Sequence, residues 1–115
     1  MFDNLKSMGQ IGSLMSKARE MQAKMAEFES RRPALRATGA AGGNMVTATA
    51  SGDMQIVGLV FAPEALSGDG ELLADLTRAA INQALKSMQD LVQDEMTKLA
   101  GDVDVSAFKG LMGGE

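Results

Sequence analysis

The chain has no cysteine, histidine, tryptophan or tyrosine, and only two prolines in 115 residues. Without cysteine and histidine there is no disulfide, no thiolate nucleophile and no Cys/His zinc site. The commonest general acid–base side chain is also missing. Lack of cysteine fits a reducing compartment. The only aromatics are four phenylalanines, which leaves few rings on which bases could stack. No stretch approaches the ~20 apolar residues of a membrane span. The opening Met1-Phe2-Asp3-Asn4-Leu5-Lys6 has no apolar run of the kind a secretory leader needs. The expectation is a cytoplasmic protein.

What the chain does have is apolar material for one core: 45% of residues are hydrophobic, ten of them methionine. Methionine is flexible and fills irregular gaps. The net charge is −4, but it is unevenly spread. Residues 1–36 hold seven basic and four acidic residues, a net of +3; residues 37–115 hold four basic and eleven acidic, a net of −7. The positive end coincides with the first helical pattern.

That pattern places Ile11, Leu14, Ala18, Met21, Met25 and Phe28 at alternating spacings of three and four, a heptad seam with a at 11, 18 and 25 and d at 14, 21 and 28. It predicts a helix over 11–32, stopped by Pro33. Residues 34–38 then read as a short strand ended by Gly39, and residues 40–44 as a turn. Residues 45–51 alternate, with Val46, Ala48 and Ala50 on one face and Thr47, Thr49 and Ser51 on the other, which is a half-buried strand. Ser51-Gly52-Asp53 marks a hairpin. Residues 54–62, apolar on both faces around Ile56 and Leu59, read as a central strand or one covered on both sides. Pro63-Glu64-Ala65-Leu66 fits one helical turn. Asp69 is placed to cap a second helix over 71–100, with an apolar stripe from Leu73 to Leu99 and a stop at Gly101.

The predicted fold is therefore α+β: an antiparallel three-stranded meander flanked by two long helices, in the order α-β-β-β-α. The domain organisation is a flexible N-terminus over 1–10, a single domain over 11–100 and a flexible tail over 101–115. The second helix, about 45 Å long at 1.5 Å per residue, overhangs strands of some 20–27 Å, yet its stripe continues. A two-fold homodimer would cover the excess. So would a monomer whose two helices pair as a hairpin.

No catalytic constellation emerges. Ser106 and Lys109 have Ser-x-x-Lys spacing but lie in a Gly-rich tail. Asp102 and Asp104 lack the rest of a calcium loop. Gly39–Gly43 lacks the Lys-Ser/Thr of a phosphate-binding loop. No enzyme, cofactor, metal or small-molecule substrate is expected. The informative pattern is basic. Lys17, Lys24 and Arg31 fall at position g, about 10.5 Å apart along the helix, with Arg19 on the outer face and Arg32 and Arg36 just beyond. Such a column can track DNA phosphates, or it can flank the seam and pair with acids such as Glu20 and Glu27.

The sequence also resembles the YbaB/EbfC nucleoid-associated proteins of bacteria. The likeness lies in Leu14-Met15-Ser16-Lys17-Ala18-Arg19-Glu20-Met21-Gln22-Ala23-Lys24-Met25, in Thr38-Gly39, Gly42-Gly43, Met45-Val46-Thr47 and Gly52, in Pro63-Glu64-Ala65-Leu66, and in Leu73-Ala74-Asp75-Leu76, Ala79-Ala80-Ile81-Asn82 and Ala84. It spans about residues 8–100. It implies a homodimer whose strands join across the two-fold and whose helices project like tweezers, binding double-stranded DNA with little sequence preference in the nucleoid. Lys17, Arg19 and Lys24 match basic positions of the family's first helix; Arg31, Arg32 and Arg36 have loose counterparts. Leu14, Met21, Met25, Phe28, Ile56 and Leu59 are the candidate core and dimer seam. The acidic second half departs from the family pattern: Lys86 and Lys98 stand there among Asp90, Asp94 and Glu95. A protein-interaction module, with Met-rich helices holding a partner helix, is the alternative.

Overall fold

The computed structural model describes residues 2–102, with side chains from residue 9 to residue 101. Helix α1 spans Phe2–Arg31 and a single 3-10 turn follows at Arg32–Ala34. Strands β1 (Arg36–Ala41), β2 (Val46–Ser51) and β3 (Ile56–Phe61) come next, then a one-turn helix α2 (Pro63–Leu66) and helix α3 (Gly70–Asp102). The predicted order of elements is the observed one. Two compact units divide the chain: one holds residues up to Glu29 and from Glu95 onward, the other Ser30–Asp94.

The second unit carries the sheet, ordered β1-β2-β3 and antiparallel throughout. The alternation read from residues 45–51 holds up to Ala50 and fails at Ser51, which is buried at the hairpin: Val46, Ala48 and Ala50 are fully buried, packed with Ala80, Ala84 and Met88 of α3. Register places Ala37, Gly39 and Ala41 on this same face. Gly39 does not end a strand; it lies inside β1, which runs three residues past the expected end. A Cβ at Gly39 would collide with the backbone of Ala80, Gln83 and Ala84. Glycine is needed there for close approach of helix and strand, not for a turn.

Two further boundaries differ. Helix α1 begins at Phe2, nine residues before the start of the seam, and α3 continues through Gly101 to Asp102. A glycine inside a helix costs stability without forcing a stop. The cap of α3 is as expected: Asp69 Oδ1 accepts from the Glu71 N–H at 3.0 Å, and its carbonyl accepts from the Leu73 N–H at 3.0 Å.

The largest correction concerns β3. It is neither central nor covered on both sides. It is an edge strand, with Val57, Leu59 and Val60 left 51%, 39% and 66% exposed. Short connections at residues 42–45 and 52–55 keep the strands in chain order, so the middle strand is β2. An apolar run alone cannot tell an inner strand from an edge one.

Candidate nucleic-acid interface

The candidate cations begin on α1, in the first unit. There the buried side of the helix is displaced from the a/d seam. Leu14, Lys17, Met21, Lys24 and Met25 are half-buried and Phe28 is fully buried, whereas Ile11 and Ala18 are exposed. The covered strip thus runs along d and g, joined at position a only by Met25. Lys17 and Lys24 lie at its border, where long basic side chains bury their stems and keep their charge wet. Both also have interaction partners in the chain. Arg19 is exposed on another face of the helix. The displaced strip leaves Ile11 and Met15, 56% and 52% exposed, as an apolar pair one turn apart.

The remaining candidates belong to the second unit. Arg31 is exposed and has a partner in the chain. Arg32 is half-buried, its Nε donating to the Gly52 carbonyl at 2.8 Å. Arg36 turns back on its own chain, with Nη1 donating to the Pro33 and Leu35 carbonyls at 2.7 and 2.8 Å. The six cations are therefore not equivalent. Sequence spacing cannot show this, because the carbonyls that engage Arg32 and Arg36 are set by the turn after Pro33 and by a hairpin twenty residues away.

The cations of α3 are neutralised locally. Arg78 pairs with Asp75 at 2.7 Å, Lys86 with Asp90 at 3.5 Å and Lys98 with Glu95 at 3.9 Å. Each pair is one helical turn apart, the spacing at which side chains meet.

The two edges of the sheet also differ. At β1 the Ala40 N–H donates to Gln83 Oε1 of α3 at 2.8 Å, which occupies an outward-facing donor. Ile56 is half-buried against the core, and Leu59 shares a face with Ala48 but remains exposed. Beside the end of β3, Phe61, Leu73, Ala74, Thr77, Arg78 and Ile81 line an open groove of about 520 Å³.

Among the described residues no group of three or more carboxylates could hold a metal ion, and no helix is long and apolar enough to cross a membrane. Ser106, Lys109, Asp104 and the side chain of Asp102 lie outside the described residues, as does the expected tail beyond them.

This arrangement has known counterparts. A nucleoid-associated protein of Chlorobium phaeobacteroides is 35% identical over 109 residues, covering 95% of this chain and 90% of its own. One from Clostridium kluyveri is 35% identical over 90% of this chain and 92% of its own. One from Granulibacter bethesdensis is 36% identical over 87% and 94%. The crystal structure of an uncharacterized Helicobacter pylori protein shares the fold, with a TM-score of 0.62 at 21% identity, over 80% of this chain and 95% of that one. The family model of the YbaB/EbfC DNA-binding family matches residues 8–103, and the chain belongs to that family.

Proposed function

We infer that the chain binds double-stranded DNA as a homodimer with little sequence preference, and that it acts in the nucleoid on DNA conformation, nucleoid organisation and gene expression. The observation that carries this reading is membership of a DNA-binding family by a chain whose positive charge is concentrated in residues 1–36. The net charge of the whole chain is negative, so a duplex is drawn to that end only. The chain has no tryptophan, tyrosine or histidine with which to stack on bases. Binding then rests on phosphate contact and duplex shape, which carry little sequence information.

Arg19 leads the proposed contacts because it is exposed on α1. Arg31 is exposed too, and Lys17 and Lys24 add charge from the border of the buried strip. The second copy docks on β3. That edge carries no charged residue and exposes three large apolar side chains, and it ends beside an apolar groove. A long uncharged edge is a template for another chain, while the β1 edge is partly closed by Gln83.

The test is duplex affinity over a salt series for the full chain and for Arg19→Glu, with sedimentation equilibrium on the same samples. The expected mass is that of two chains. Each neutralised phosphate adds about −0.9 to the log–log slope, so Arg19→Glu should flatten the slope by about 1.8 for a dimer and still sediment as wild type. An unchanged slope removes Arg19 from the interface, and a single-chain mass removes the dimer.

A second reading draws on the exposed Ile11 and Met15: α1 would seat a helix of a protein partner through a flexible apolar stripe. A stoichiometric protein partner, together with no duplex binding at low salt, would select it.

A further inference from the structure

The 3-10 turn that follows α1 and the hairpin that precedes β3 are clamped together at one point. Arg32 Nε donates to the Gly52 carbonyl at 2.8 Å. Gly52 is itself buried under the Arg32 main chain: a Cβ there would run into the Arg32 carbonyl oxygen and come within 2.8 Å of its Cγ. Both partners are thus fitted to each other, one by a hydrogen bond and the other by the absence of a side chain.

The hairpin beyond Gly52 is strained. The Met54 N–H donates to the Ser51 carbonyl at 2.9 Å, and the Ser51 N–H donates to the Gln55 carbonyl at 2.8 Å. Closing the loop this way puts Met54 at φ 60°, a left-handed conformation that an L side chain rarely adopts. Such a conformation persists only where the surroundings over-determine it. The pairing of β2 with β3 also shifts at Thr49/Ala50. In a strand, a slip of one residue exchanges the two faces. The hairpin therefore decides that Leu59 faces with Ala48 and Val60 with Thr47, and not the reverse.

We propose that Arg32 is a positioning residue for the β3 edge: by clamping Gly52 it holds the strained hairpin and fixes the register in which β3 meets a second copy. The assembly role rests on the β3-edge homodimer reading above; the clamp itself does not. Arg32, like Arg36 with its bonds to the Pro33 and Leu35 carbonyls, then commits its guanidinium to the backbone, and its bond goes to the hairpin before β3 in place of a phosphate. Lysine keeps the charge but not the planar fork that carries Nε. Gly52 has no charge to lose, so a substitution there that quickens exchange on the same strand as Arg32→Lys separates the contact between turn and hairpin from any loss of charge.

The experiment compares full-length wild type with Arg32→Lys, Arg32→Ala and Gly52→Ala by amide hydrogen exchange, sedimentation equilibrium and duplex binding over a salt series. For Arg32→Lys, exchange across Ile56–Phe61 should quicken roughly tenfold, as expected for one charge-assisted hydrogen bond; for Gly52→Ala, whose Cβ meets the Arg32 backbone itself, it should quicken by more; and in both the dimer should dissociate at lower dilution. For Arg32→Ala, measured where the protein is fully dimeric, the salt slope should equal that of wild type. Wild-type exchange on β3 in Arg32→Lys overturns the clamp even if Gly52→Ala fails to fold. A slope flattened by about 0.9 per subunit in Arg32→Ala returns Arg32 to the phosphates. A wild-type chain that stays single overturns the homodimer reading instead, and exchange on β3 still decides the clamp.

Discussion

Helices α1 and α3 are nearly equal in length and both are amphipathic, yet they bury themselves by different means. Helix α3 fully buries Ala80, Ala84 and Met88 against Val46, Ala48 and Ala50. Two of the three helix residues are alanines, and the facing position on β1 is Gly39. Backbone therefore comes almost to backbone, and the surface left between the elements is small. Helix α1 fully buries only Phe28 among its described side chains; its other covered residues, Leu14, Lys17, Met21, Lys24 and Met25, stay half-exposed. The difference teaches that apolar periodicity sets the face of a helix, while residue size sets how closely that face is covered. The small-residue face is rigid and specified. The Met- and Lys-lined face is adaptable, and Lys17 and Lys24 lie along its border.

The most direct way to break the comparison is to spoil the close approach of α3. Gly39→Ala adds one methyl group where the backbone of Ala80, Gln83 and Ala84 already stands. Backbone cannot swing aside as a flexible side chain can, so the strand and helix must separate. The expected cost is at least about 4 kcal/mol, in the range that marks a specific steric fault in a core. Urea unfolding followed by circular dichroism measures it. A loss below about 1 kcal/mol would mean that helix and strand can slide apart freely.

On the α1 side the matching change is Phe28→Ala. Phe28 is the largest fully buried side chain among the described residues, and removing it leaves a cavity in addition to the lost transfer energy. The expected destabilisation is about 3 kcal/mol, at the low end for phenylalanine truncation, because the half-buried Met21 and Met25 on the same side of α1 are flexible side chains that can fill a gap. The same urea experiment reads it. A cost as large as that of Gly39→Ala would show that the α1 face is as tightly specified as the α3 face.

This contrast also explains what was legible in the sequence. The order of elements was readable because each is announced locally: Pro33 and Pro63 stop what precedes them, Asp69 caps α3, and Val46, Ala48 and Ala50 alternate. Gly39 reads as a strand end because a glycine for close approach and a glycine for a turn look the same without the opposing helix. The place of β3 at the edge is not legible because its apolar run is compatible with either position. The candidate cations were visible as a column, but their differing engagement was not. That Arg32 holds Gly52 and that Arg36 returns to the Pro33 and Leu35 carbonyls are tertiary facts, with no trace in the spacing of charges.

The finest distinction between the helices is electrostatic, and it carries the smallest expected effect. Lys86 and Asp90 sit at 3.5 Å with both side chains largely exposed, and lysine precedes the acid, the weaker order for a pair at this spacing. Asp90→Asn should change stability by less than about 0.5 kcal/mol, as exposed pairs generally do. Its value lies in a second readout. The substitution releases Lys86 from its acid and makes α3 less negative by one charge per subunit. If duplex contact belongs to the cations of α1, the salt slope of binding stays at the wild-type value, and only a small gain in affinity appears from reduced repulsion, fading as salt is raised. A slope steeper by about 0.9 per subunit would instead mean that Lys86 reaches a phosphate once freed. Then the local pairing on α3 would be what keeps that helix off the duplex, and the division of labour between the two helices would rest on three acids, Asp75, Asp90 and Glu95, more than on the placement of the basic residues.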